Sequence, residues 1–126
     1  MTENEIATKI VNTCYEIHTV LGPGLFETVY EEILYFELQQ QGLSVERQVQ
    51  IPIFWKGIQL GEAFKADLIV NGKIIVELKS VESLASVHFK QLITYLKLAE
   101  LKLGLLVNFN SDLIKNGIKR VVNGLE

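Results

Sequence analysis

The chain has 126 residues, 48% of them hydrophobic, with two prolines, one cysteine and a net charge of −3. That size and composition give a single domain, residues 1–126, with a sizeable core, and exclude a disordered chain. They also exclude an internal disulfide and a protein that coats nucleic acid by charge alone. No apolar run approaches the roughly 20 residues of a membrane span, and Met1 to Ile6 is polar and acidic rather than a leader. The expected setting is therefore the cytoplasm, with no membrane partner, and the lone Cys14 fits reducing conditions.

Ile6, Ile10, Cys14, Ile17 and Leu21 recur at helical spacing and predict a first amphipathic helix, which Gly22-Pro23-Gly24 stops. Cys14 falls on the apolar face, as a core residue. A second helix is expected from about Phe26 to Gln41, with Gly42 as C-cap and Val29, Ile33, Phe36 and Leu38 on its apolar side. The period then changes to two. Val45, Val49, Ile51, Ile53 and Trp55 alternate with polar residues as a strand, and Pro52 marks an edge or a bulge. Lys56-Gly57 is a turn. Ile58 to Val70 is a strand with an irregularity near Gly61-Glu62, and Lys73 to Lys79 is another.

Ser86 to about Leu101 predicts a third helix, with Phe89, Leu92, Ile93 and Leu96 as its apolar stripe. His88, Gln91 and Tyr95 form a polar stripe beside it. Gly104 to Phe109 is an unalternated apolar run, the pattern of a buried parallel strand. The connection from Lys79 is long enough for a helical crossover. Ile118 to Val122 reads as a short strand in preference to a helix. The order is α-α-β-β-β-α-β-β, an α/β protein with a mixed sheet flanked by helices.

The chemistry-bearing residues concentrate at Asp67 and at Glu77-Leu78-Lys79. Two carboxylates and a lysine suit metal-assisted phosphodiester hydrolysis: the acids hold Mg2+ or Mn2+, and the lysine orients a water beside the ion. Glu77 and Lys79 are two apart on a strand and share a face. A charged pair among Ile74, Ile75, Val76 and Leu78 is costly to bury without a purpose. The plainer account is a surface ion pair, for which Glu-x-Lys is an ordinary pattern. Glu27, in the first turn of the second helix, is a third acid, although a glutamate there also simply favours the positive helix end. Gln91 and Tyr95 are either a solvated face or part of a site at the C-terminal end of the Glu77 strand. Lys115, Lys119, Arg120, Arg47 and Lys65 read singly as solubilising residues.

Register sets a condition on the pair of acids. A two-residue Asn71-Gly72 turn would pair Asp67 with Val76 and point Asp67 away from Glu77. A shared ion needs a bulge or a three-residue connection between them.

Together these residues resemble a known family. Gly24-Leu25-Phe26-Glu27-Thr28-Val29-Tyr30 fits the Gly-x-x-Glu-x-x-Tyr signature of the GxxExxY proteins, assigned to the PD-(D/E)XK nuclease-like superfamily. The resemblance continues through Asp67, Glu77-x-Lys79, Gln91-x-x-x-Tyr95 and the Gly104 to Phe109 strand, nearly the whole chain. Ala66 stands where the superfamily's name has proline. The resemblance implies a restriction-endonuclease-like αβββαβ core with an extra N-terminal helix. It implies Asp67, Glu77 and the Leu78 carbonyl as metal ligands and Lys79 as the water-positioning residue. Glu27 would be an accessory helix acid, and Gln91 and Tyr95 would support the site and the nucleic-acid end.

The expected function is a Mg2+- or Mn2+-dependent nuclease acting on DNA ahead of RNA. The alternative is a non-catalytic nucleic-acid- or protein-binding module on the same fold. The acidic charge leaves no obvious basic groove, which a homo-oligomer would supply between protomers.

Overall fold

The computed structural model describes residues 1–125, with Ala63 described by its backbone alone. The elements are α1 (Glu3–Leu21), α2 (Glu27–Gln40), β1 (Val45–Trp55), β2 (Ile58–Val70), β3 (Ile74–Lys79), α3 (Ser86–Ala99), β4 (Leu103–Asn108), α4 (Ile114–Gly117) and β5 (Ile118–Val122). The five strands lie in sequence order. Their neighbours are antiparallel, except that β3 and β4 are parallel and joined across α3. The expected α/β order is present, with the single turn of α4 added before β5.

Local chemistry explains the boundaries. Thr2 and Glu5 form a capping box at the start of α1: each backbone N–H donates to the other's side chain at 3.2 Å. Gly22, at φ +69, ends that helix. Gly42 follows α2 at φ +82, and Glu100, at φ +57, caps α3, whose last residue Ala99 is two before the expected end. β1 is an edge strand, and its register with β2 shifts between Ile51 and Pro52 and again between Ile53 and Phe54. These shifts are the irregularity expected around Pro52 and Gly61-Glu62. They arise where proline cannot donate to the ladder.

The sheet separates two cores. On one face, Leu68, Val70, Val76, Leu103 and Leu105 pack against Ile6, Ile10, Cys14, Leu34 and Leu38 of α1 and α2. On the other, Ile51, Ile69, Ile75 and Leu106 pack against Leu92 and Leu96 of α3. Each such side chain contributes about 1.5–3 kcal/mol on burial. Gly104 lets α3 sit close, because a Cβ there would lie 2.9 Å from Leu92 Cδ1. α2 turns inward a stripe only partly the one expected: Leu38 is buried and Ile33 packs against the core, as expected, but Val29 and Phe36 do not. Tyr30, Glu31, Leu34 and Leu38 are buried, whereas Val29 and Phe36 are exposed. Both stripes are apolar at helical spacing, so periodicity alone cannot choose between them; Glu31 disguises the inner one.

The β2–β3 connection decides the site. Asn71 and Gly72 have φ +53 and +62, and Lys73 N–H donates to the Val70 carbonyl at 3.0 Å. Pairing resumes at Val70 with Ile74, then Ile69 with Ile75 and Leu68 with Val76. The connection therefore holds three residues, and the register carries on to place Asp67 opposite Glu77.

Candidate functional site

The β2–β3 ladder stops at Leu68 and Val76, and Asp67 takes over where it ends. Asp67 Oδ2 accepts the Leu78 backbone N–H at 2.8 Å. Its Oδ1 accepts from Gln48 Nε2 at 3.3 Å. The aspartate thus replaces a ladder bond and is held at the rim between two strands.

Glu77 is 7% exposed, on the α3 side of β3. Its Oε1 is buried and has no hydrogen-bond partner among the described residues. Burial pushes its carboxyl up to about 9, and the charge of Asp67 and a hydrogen bond to the Asp67 side chain push the same way; the Lys79 ammonium opposes them. Burial and the charges of Glu77 and Asp67 also raise the Tyr95 phenol.

Asp67, Glu77, Lys79, Gln91 and Tyr95 line one cavity of about 160 Å³ under α3, together with Lys65 and His88. The Tyr95 ring is fixed by stacking on Phe64, centroids 3.6 Å apart at 8°. His88 Nδ1 accepts the Ala85 N–H at 3.0 Å, capping α3 with its ring at the cavity. The polar stripe of α3 therefore faces the acids rather than open solvent alone.

Glu27 is not part of this group. α2 packs on the other face of the sheet, and Glu27 Oε1 accepts the Ser80 N–H at 3.2 Å, just past the end of β3. It lines a separate groove with Gly24, Phe26, Ser80 and Asn110. Among the described residues no three His, Cys, Asp or Glu side chains are grouped to hold a metal ion. The acid expected as an accessory one thus lies outside the cavity of Asp67 and Glu77, where it ties α2 to the segment leaving β3. Tyr30 of the same signature is buried: its hydroxyl donates to the Gly22 carbonyl at 2.6 Å and accepts from Leu25 N–H at 3.3 Å. Its ring stacks on Phe109, centroids 4.3 Å apart.

Three residues at or beside the cavity are ones the sequence does not single out for it. Lys65, which reads in the sequence as solubilising, lines the cavity wall. Gln48, a polar residue of the alternating β1 pattern, reaches Asp67. Buried Asn108 clamps the segment after Lys79, donating to the Val81 carbonyl at 2.9 Å and accepting from Val81 N–H at 3.1 Å. A lone amide ending an apolar strand was the signal available for it.

The donor set suits a hard divalent cation. Asp67, Glu77 and the Leu78 backbone offer oxygen only, and the partnerless Glu77 Oε1 is the kind of atom an ion satisfies.

A family model described as the PD-(D/E)XK nuclease superfamily matches residues 4–121, and the chain belongs to that superfamily. No curated protein and no solved structure matches it.

Proposed function

We propose that this superfamily member is a Mg2+- or Mn2+-dependent nuclease that hydrolyses phosphodiester bonds, in DNA ahead of RNA. The observation that carries the proposal is the buried Glu77 oxygen without a partner beside Asp67. Such an atom is costly to leave unmatched, and a cation held by Asp67, Glu77 and the Leu78 carbonyl would match it. Such an ion, when bound, polarises the phosphate and lowers the pKa of a water. Lys79 shares the cavity with both acids, where its ammonium orients that water and offsets charge developing on the phosphate, worth about 2–4 kcal/mol. Lys65 adds a second positive charge at the same wall. Gln91 and Tyr95 offer an amide and a phenol to the phosphate backbone. The Gly24 to Tyr30 signature supports the narrower assignment to the GxxExxY proteins.

A non-catalytic binding module is favoured by one observation: the raised Glu77 carboxyl can hold a proton in place of a metal at neutral pH. Labelled single- and double-stranded DNA and RNA, incubated with Mg2+ or Mn2+, separate the two. The nuclease requires cleavage that EDTA stops and that Asp67→Asn and Lys79→Ala abolish. Retention of nucleic acid without cleavage, by folded protein carrying Mn2+, would leave the binding module standing.

A further inference from the structure

We propose that Gln48 is a positioning residue of this site: its side-chain amide, anchored on Glu31, fixes the Asp67 carboxylate in the orientation a divalent cation needs. The proposal rests on the metal-dependent reading of Asp67 and Glu77 above. Gln48 Nε2 donates to Glu31 Oε1 at 2.7 Å and to Asp67 Oδ1 at 3.3 Å. One amide nitrogen thus joins a buried acid of α2 to the acid of β2 at the end of the β2–β3 ladder.

The anchor is itself held. Glu31 Oε2 accepts from Arg47 Nε at 3.3 Å and Nη2 at 3.1 Å. Arg47 Nη1 donates to Glu32 at 2.8 Å, and the guanidinium lies 5.0 Å from the Tyr35 ring centroid. Glu31 therefore has no freedom to follow the amide; the amide follows it.

The backbone at Gln48 is bent to this purpose. Neighbouring residues of a regular strand point to opposite faces. Here Arg47 and Gln48 both reach Glu31, which a regular strand forbids. The reconciliation is φ +49 at Gln48, a left-handed backbone that glycine and asparagine accept and that strains a glutamine. The register is normal on either side, with Arg47 opposite Leu68 and Val49 opposite Ala66. Strain of this kind persists where the surroundings over-determine it, and it collects at functional sites.

An uncharged amide suits the task. A lysine or arginine would tie Asp67 down too, but would also neutralise the charge that attracts a cation. Gln48 and the Leu78 N–H bond different Asp67 oxygens, and neither donor alone fills the oxygen it binds. Groups that orient metal ligands in this way typically change metal affinity 10–100-fold when removed.

The experiment uses the whole chain with Mn2+ alone as probe. Gln48→Gly removes the amide and accepts φ +49 without strain. Gln48→Asn also tolerates positive φ, but falls one methylene short of its partners. Melting in EDTA reads the fold, and calorimetric titration with Mn2+ reads the site. The expected result is a melting temperature for Gln48→Gly at or above that of the wild type, with Mn2+ bound at least about tenfold more weakly by both variants. Mn2+ affinity within about twofold of wild type in both variants would overturn the proposal. So would weakened binding that only follows a lowered metal-free melting temperature in both, which is a structural role. A wild type that binds no Mn2+ would instead strike the metal-dependent reading itself and take this proposal with it.

Discussion

Glu31, on the α1/α2 face of the sheet, and Glu77, on the α3 face, are 6% and 7% exposed. Glu31 meets Arg47 at 3.1 Å and Gln48 at 2.7 Å, whereas Glu77 has an oxygen with no partner and a carboxyl raised to about 9. A carboxylate buried for the sake of the fold is matched by donors of the chain itself. One left unmatched marks the place where the chain expects something from outside. Charge follows the same division. Glu3, Glu5, Glu16, Glu27, Glu31, Glu32 and Glu37 lie in α1 and α2, against Lys9 alone. The acidic excess of the chain therefore sits in the helical layer, and the cavity under α3 brings Lys65 and Lys79 to its acids. A net charge of −3 is no objection to a nucleic-acid substrate approaching from the α3 side.

The largest expected effect is on cleavage. Asp67→Asn should lower the rate with Mn2+ by at least about 10²–10³-fold, and Glu16→Gln on exposed α1 should leave it unchanged. Equal losses from both substitutions would erase the distinction between the faces. Next is metal binding. A hundredfold excess of Mn2+ over its Kd should stabilise the wild type by about 2.7 kcal/mol, and Asp67→Asn should lose most of that gain in paired melting curves.

Stability against pH sharpens the contrast between the two glutamates. The folded-state value for Glu77 lies above its unfolded one, so without metal the folded protein holds the extra proton. Its contribution is complete below the ordinary glutamate range and is lost as pH rises towards 9, at no more than about 1.4 kcal/mol per pH unit. Urea melts in EDTA at pH 6, 7 and 8 should show this fall in the wild type and a flatter profile in Glu77→Gln. Parallel profiles would mean that Glu77 is already satisfied. The smallest effect belongs to the helical face: Tyr30→Phe removes both hydroxyl bonds to the Gly22–Leu25 corner. It should lower stability by about 1 kcal/mol while leaving the Mn2+-induced shift intact. A lost metal response in that variant would make Tyr30 part of the site.

Sequence by itself determined the element order, because apolar spacing of 3.6 along α1 and α3, of two along β1, and the unbroken run of β4 are local consequences of what each element buries. It also placed Asp67, Glu77 and Lys79 near one another, since strand periodicity and a hairpin signal act over a few residues. The requirement of a bulge or a three-residue connection followed from that periodicity, and the second is what Asn71-Gly72-Lys73 provide. Tertiary structure alone decided that Tyr30 and Leu34 rather than Val29 and Phe36 join Leu38 on the inward face of α2, because all are apolar at helical spacing and only the shape of the sheet distinguishes them. It alone separated Glu27 from the cavity, by setting α2 on the far face. It alone joined Arg47, Glu31, Gln48 and Asp67 into one chain of hydrogen bonds. These hydrogen bonds link residues 16 to 19 positions apart, and no local pattern in a sequence encodes which distant polar groups must satisfy one another once water is excluded.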